Sequence, residues 1–459
     1  MKILSEINAA LSDIVWGTPF LILILGAGVF LSFKLNFFQI TKLSLWLRET
    51  VFSIKKARRQ GDNGTVSPFQ AVCSSLAATV GTGNITGVAA AICVGGPGAV
   101  FWMWVAAFFG MATKYCEIFL SVLYQKRTKG KEPCGGPMYY ISKCSSKFGA
   151  PLSRAFCVFG ALAALGIGCL TQVNTISQAA YIFVRDLFET GGEYRTEIFI
   201  ICGAICSLLS AVVIIGKEKR IGKISQALVP FMSVSYIVFS LIIIALNAGA
   251  LPLAFKSIFS GAFSLKAAAG AGLGIGLKQA ILNGVSRGVF SNEAGLGSSP
   301  IAHGSANAKS PQDESLLGIC EVFLDTIVIC SLTALLILCS GVNLYGKNEG
   351  FSLTLAAFCS VFGNRVANII LFISIVLFAM STVFGWSFYG KKCVLYLLGE
   401  KSVFPYGIIY CSFAFFGAVF PLKAVWSFSE AANALMAIPN LISLIILSPQ
   451  IKKHARLRA

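Results

Sequence analysis

Charge is scarce in this sequence. Only 12% of its 459 residues are Asp, Glu, Lys or Arg, about half the share of an ordinary soluble domain. Histidine is nearly missing, with His303 and His454 the only two. No CxxC pair and no HExxH occurs. These absences exclude a zinc centre of the usual type and a zinc-dependent hydrolase. Acidic residues number 19 against 37 basic ones, a net charge of +18. In a soluble protein that excess would suggest nucleic acid. Here the basic residues sit in short loops between apolar runs, so no nucleic-acid partner is expected. No CxxC redox pair is present among the 15 cysteines, and most lie inside apolar runs, as Cys73, Cys93, Cys202, Cys206, Cys320 and Cys330 do. There they act as small hydrophobes. Cys134 and Cys144 share a basic loop assigned to the reducing cytosol, so they are not expected to form a disulfide. A P-loop is also missing: Gly385–Lys391 has the glycine and lysine spacing, but Lys392 stands where Ser or Thr is needed.

What is abundant is apolar residue, 56% of the chain. A soluble fold of this length could not hide that surface, whereas a bilayer accepts runs of roughly 20 apolar residues. The sequence predicts an all-α integral membrane protein with about eleven spans. They fall near 14–33, 67–94, 97–123, 152–185, 197–216, 225–248, 267–290, 315–341, 365–390, 403–420 and 425–449. The first run is long enough to span, and its flank lacks the charge pattern of a cleaved signal. The loops 34–66, 124–151, 217–223, 287–315 and 391–401, with the tail after 451, hold about 26 of the Lys and Arg residues, and the alternate set about 8. The positive-inside rule therefore predicts an N-terminus outside, a C-terminus in the cytoplasm, and a home in the plasma (inner) membrane.

Eleven spans divide as one plus five plus five. The expected organisation is 1–66, an extra helix and basic loop; 67–250, a first five-helix repeat; and 251–459, a second one with a basic tail. Five is odd, so the second block enters the membrane in the opposite sense.

The first span of each block is rich in glycine. One reads Ala77-Ala78-Thr79-Val80-Gly81-Thr82-Gly83-Asn84-Ile85-Thr86-Gly87, the other Ala269-Gly270-Ala271-Gly272-Leu273-Gly274-Ile275-Gly276. Each glycine costs about 1 kcal/mol of helix stability against alanine. Such clusters predict unwound points, which a membrane tolerates only where the backbone faces protein, water or a ligand. Interrupted helices in matching places point to a transport site. A half-helix N-terminus suits a carboxylate, and free carbonyls suit a cation or an ammonium group. Close helix packing is the alternative use of such glycines.

Two long stretches give the chain a resemblance. GTGNITGVAAAICVGGPGAVFWMWVAAFFGMATKYCE (81–117) and GVSRGVFSNEAGLGSSPIAHGSA (284–306) resemble the signature of the alanine or glycine:cation symporter family. EVFLDTIVICSLTALLIL (321–338) and FGWSFYGKKCVLYLLG (384–399) are weaker matches, and the likeness runs from about 67 to 449. The resemblance implies the LeuT-type inverted-repeat fold of the amino acid–polyamine–cation superfamily. It implies a non-enzymatic symporter of alanine or glycine, with Na+ as coupling ion, H+ as the alternative, and no cofactor or obligate protein partner. Thr82, Gly83 and Asn84 would hold the substrate carboxylate, with Gln172, Gly272, Gly274, Thr382 and Trp386 completing the pocket. Carbonyls near Thr79 and Val80 and the hydroxyls of Ser381 and Thr382 would hold Na+. Members often carry an aromatic residue in the second broken helix, and 267–280 has none.

Of the charges inside predicted spans, four stand out. Lys114 and Glu117 share a helix face and read as a buried ion pair or a proton relay. Asp325 follows Glu321 by four residues, with no cation nearby in sequence, and reads as a proton-coupling group or as the partner of an incoming lysine. Lys278 is placed just after the second glycine cluster, as a vestibule residue or a stand-in for a coupling cation. The segment 291–306 reads as a tightly turned cytoplasmic connector, with His303 hydrogen-bonded.

Overall fold

The computed structural model describes residues 16–57, 66–127, 133–188, 193–215, 218–263, 276–308, 310–344 and 350–455. The described residues are helical almost throughout. In order, the principal helices are α1 (Thr18–Lys34), α2 (Leu43–Ala57), α3 (Pro68–Thr79), α4 (Thr86–Gly95) and α5 (Gly98–Leu123). They continue as α6 (Gly149–Leu165), α7 (Thr171–Phe188), α8 (Arg195–Ile214), α9 (Glu218–Leu246), α10 (Leu251–Phe263) and α11 (Leu277–Asn292). The last five are α12 (Pro311–Val322), α13 (Ser331–Cys339), α14 (Phe351–Leu398), α15 (Val403–Val419) and α16 (Leu422–Ala455). Two joints are π-helical: Gly166–Leu170 between α6 and α7, and Phe323–Cys330 between α12 and α13. Such widened turns are common at functional sites.

Among the described residues, eight helices are long and apolar enough to cross a membrane, and the bent pair α3 and α4 makes a ninth. Of the runs predicted at 14–33 and 267–290, the described residues hold α1 and α11, while 14–15 and 267–275 lie outside them. The chain leaves α11 at Glu293, crosses an irregular segment, and resumes as the short helix Ser299–His303.

Packing separates a core from a periphery. Of the most apolar window of α5, 78% is buried, against 28% for α8. Helix α5 packs on α11 and α12, and α14 packs on α6 and α7. Helix α8 turns Ile201, Ile205, Leu208 and Val212 outward, and α9 does the same with Phe231, Val234 and Val238. Outward apolar ridges of this kind suit lipid. Helix α14 turns sharply at Gly363, whose φ of 71° favours glycine.

One predicted loop residue moves. Arg287 lies within α11, not in a basic connector, because the chain stays helical to Asn292.

Candidate functional site

The first interruption falls where the glycines predicted it. Helix α3 ends at Thr79, α4 begins at Thr86, and the two are bent by 57°. Around glycines 81, 83 and 87 stand Val80, Thr82, Ile85 and Thr86, β-branched residues that also disfavour helix. The loosened backbone finds specific partners. Gly81 N–H donates to Asn84 Oδ1 at 3.0 Å instead of continuing the helix to Ala77. The Ala77 carbonyl accepts from Thr382 Oγ1 at 3.1 Å. A Cβ on Gly81 would lie 2.5 Å from that hydroxyl, so this close approach needs glycine. Thr82 donates to Gln172 Oε1 from its hydroxyl at 2.9 Å and its amide at 3.3 Å. Gln172 Nε2 donates to the Ile167 carbonyl in the first π-helical joint.

A second interruption is built from 293–298, beyond the predicted glycine cluster. Glu293, Gly295 and Gly297 all have positive φ, at 56°, 92° and 83°. Gly272 and Gly274 lie outside the described residues. The segment is turned, as expected of 291–306, but Asn292, Glu293 and Ser298 are buried in the bundle interior. Phe290 lies three residues before the turn and is buried. The pentapeptide Gly284-Val285-Ser286-Arg287-Gly288 has the GxSxG spacing of a hydrolase nucleophile. It lies inside α11, whereas a nucleophile elbow needs a strand-to-helix turn.

Hydrogen bonds join the two interruptions. Asn84 Nδ2 donates to Asp325 Oδ1 at 2.7 Å. Asp325 Oδ2 accepts from Ser291 Oγ at 2.8 Å and Thr326 Oγ1 at 2.9 Å. Asn292 Nδ2 reaches Thr326 Oγ1 at 3.1 Å. Asp325 thus sits in the second π-helical joint as the hub between both broken segments, and its partners are neutral donors. Trp386 Nε1 donates to Glu293 Oε1 at 2.8 Å, and Ser298 bonds the other carboxylate oxygen. Thr382 and Trp386 are one turn apart on α14, so a single helix face holds the first interruption with one and the second with the other. Trp386 packs against Gly168, where a Cβ would fall 2.1 Å from the Trp386 Cβ.

Lys114 and Glu117 both serve the second interruption. Lys114 bonds Ser299, and Glu117 accepts from Gly297 N–H at 3.0 Å and from Asn440. Glu117 Oε2 is buried without a hydrogen-bond partner. His303 is hydrogen-bonded, as expected: its ring nitrogens lie 2.7 Å from Glu314 and 2.7 Å from Glu321. Lys278 stands apart from all of this, exposed at the start of α11 on the rim of a separate cavity.

The residues expected at a cation are in mixed positions. Thr382 meets the last turn of α3 through Ala77, and Val80 is fully buried where that helix ends. Thr79 and Ser381 turn their hydroxyls to their own helices, onto Ser75 O at 3.2 Å and Phe378 O at 2.8 Å. Among the described residues no three His, Cys, Asp or Glu side chains gather as metal ligands. A weakly held monovalent ion on neutral oxygens is compatible with that. Sequence reading missed Ser291, Asn292, Glu293 and Asn440. The first three had one signal, a polar triplet followed by glycines at alternate positions, and Asn440 had none.

Backbone dipoles, hydroxyls, an amide and a buried carboxylate converge here. Such an arrangement suits binding and release.

Comparison with known proteins agrees. Residues 1–457 match the sodium:alanine symporter family. The chain is 43% identical over 453 residues to the sodium/alanine symporter AgcS of Methanococcus maripaludis, covering 98% of this chain and 95% of that one. It is 34% identical over 441 residues to the amino-acid carrier protein AlsT of Bacillus subtilis, covering 95% and 88%. Among solved structures, a manganese transporter of Eremococcus coleocola shares the fold with a TM-score of 0.51 at 12% identity, over 82% of this chain and 76% of that one. The chain is a membrane transporter and belongs to the sodium:alanine symporter family.

Proposed function

We propose that this protein carries alanine and other small neutral amino acids, glycine and D-alanine included, into the cell together with Na+. The observation that carries this reading is the hydrogen-bonded chain from Thr82 and Asn84 through Asp325 to Ser291. It ties two interrupted helices to one another at a point where Gln172 and Thr382 also converge. The N-terminal end of α4 would receive the carboxylate, beside Thr82, Gly83 and Asn84. The carbonyls ending α3 near Thr79 and Val80, with Ser381 and Thr382, would receive Na+. Trp386 backs the pocket and limits side-chain size.

Segments 67–250 and 251–459 form the two inverted five-helix repeats, with 1–66 outside them. The basic loops face the cytoplasm, the N-terminus lies outside, and the site opens alternately to each side. The second broken helix of the repeat is α11 with Ser299–His303, so its binding backbone is 293–298, downstream of Gly272 and Gly274. Binding of Na+ and of substrate favour one another, reciprocally by linkage.

Uptake of radiolabelled alanine into proteoliposomes tests the reading, with an inward Na+ gradient compared against an inward H+ gradient, the other ion clamped. Accumulation with Na+ alone is expected. Accumulation with H+ alone would remove the Na+ site and turn attention to Asp325, Glu117 and the buried His303 cluster. That second reading has its own support in the unpartnered Glu117 oxygen.

A further inference from the structure

A cavity of about 420 Å³ lies beside α11, the first segment of the second interrupted helix. It is bounded by the N-terminal half of α11, the start of α1 and the first turns of α16. Its volume lies within the roughly 300–1,000 Å³ of small-molecule sites, and it exceeds what alanine alone would fill. Two opposite charges line it. Arg287 Nη1 is 3.1 Å from Glu430 Oε1, and the side chains are 24% and 21% exposed. Lys278 adds a second cation on the rim, and Asn283 a neutral polar group.

Phe290 lines the cavity and joins it to an aromatic stack. Phe290 stacks on Trp426 with centroids 5.4 Å apart, and the Arg287 guanidinium lies 4.9 Å above the Trp426 ring. Beneath that stack is the first interruption: a Cβ on Gly83 would lie 3.9 Å from Phe290 Cδ1. The stack therefore separates the cavity from the deep site by the thickness of one ring.

We propose that this cavity is a second binding site, an antechamber for zwitterionic α-amino acids. A partly exposed ion pair gains little, about 0–1 kcal/mol, from being closed. A ligand carrying both charges can replace it at small cost. Its carboxylate takes the Arg287 fork, a geometry arginine favours, and its ammonium takes Glu430. A purely anionic or cationic ligand would leave one protein charge unpaired. The spare volume means that this site does not select by side-chain size. That selection is left to the deep site, where Gly81, Gly168, Thr382 and Trp386 are in contact. Because Arg287 lies on Trp426, a ligand that draws it away from Glu430 also disturbs the stack above Gly83.

The proposal rests on the amino acid cargo argued above, and the test separates the two. Binding of radiolabelled L-alanine to the purified full-length chain in Na+ is measured to saturation by equilibrium dialysis. Two molecules per chain are expected. Arg287→Gln with Glu430→Gln should remove one of them, and so should Ser286→Trp, which fills the cavity and leaves the ion pair in place. Gly81→Val should remove the other. A single molecule, lost with Gly81→Val and retained in both cavity variants, would overturn the antechamber and leave the deep site standing. No binding to the wild-type chain would overturn the cargo itself, and the antechamber with it.

Discussion

A methyl group on Gly81 would collide with Thr382 Oγ1 at 2.5 Å. The hydroxyl could retreat only by giving up its bond to the Ala77 carbonyl. That carbonyl has no replacement within its helix, since the Gly81 N–H that would normally pair with it donates to Asn84. Overpacking costs roughly 1–3 kcal/mol, and an orphaned buried carbonyl adds about 1–3 kcal/mol more. Gly81→Ala should therefore lower the melting temperature and raise the substrate concentration for half-maximal uptake more than about tenfold, or ~1.4 kcal/mol. The double variant Gly81→Ala, Thr382→Ala removes the clash without restoring the hydroxyl. It should recover part of the stability and little of the uptake. Normal uptake by the single variant would show that the contact between α14 and the first interruption is dispensable.

Three elements meet at His303: the short helix that carries it, α12 through Glu314 and Glu321, and α3 through Ser75. Ser75 Oγ donates to Glu321 Oε2 at 2.7 Å, leaving the other oxygen to the ring. A neutral imidazole has one N–H to give, and a carboxylate has none. Two carboxylates on one ring therefore require an extra proton within the trio, on the second ring nitrogen or on a carboxyl. Replacing the ring by alanine leaves two buried carboxyls facing an empty space, a loss of roughly 3–5 kcal/mol if both stay charged. His303→Ala is expected to melt well below the wild type at neutral pH, because nothing then bridges Glu314 and Glu321. Equal melting of the two proteins at neutral pH would mean that the trio does not hold the elements together. The first interruption was legible in the sequence because GTGNITG carries both the breakers and Asn84, the residue that caps them. The glycine cluster at 269–276 lies almost wholly outside the described residues, and the interruption they show follows α11, at 293–298. The turn at 293–298 depends instead on a left-handed Glu293 and two spaced glycines, held by Glu117 and Asn440 from far along the chain. No local pattern announces such partners. Gln172 and Thr382 were readable only through resemblance, for an amide and a hydroxyl within apolar spans look alike wherever they fall.

At the scale of the whole molecule, the buried charges near the site bear on how transport responds to voltage. Lys114, Glu117, Glu293 and Asp325 are all buried, and each is held by neutral groups of the interrupted segments or of the helices beside them. They are fixed to the protein, so their ionisation does not by itself set the charge delivered per cycle. That charge is set by the cargo. A neutral amino acid contributes none, and each accompanying Na+ contributes one. One positive charge moved inward gains about 2.3 kcal/mol per 100 mV, which converts to roughly a fiftyfold accumulation ratio at equilibrium. Proteoliposomes with equal Na+ on both sides should therefore concentrate alanine when a potassium diffusion potential, negative inside, is imposed with valinomycin. The internal concentration should rise steeply with voltage, with a limiting slope that counts the net charges per alanine. A flat response, with uptake still dependent on a Na+ gradient, would mean that a charge returns in each cycle. His303, Asp325 and the half-free carboxyl of Glu117 would then be the groups to replace first, because a returning proton needs a buried acceptor on its path.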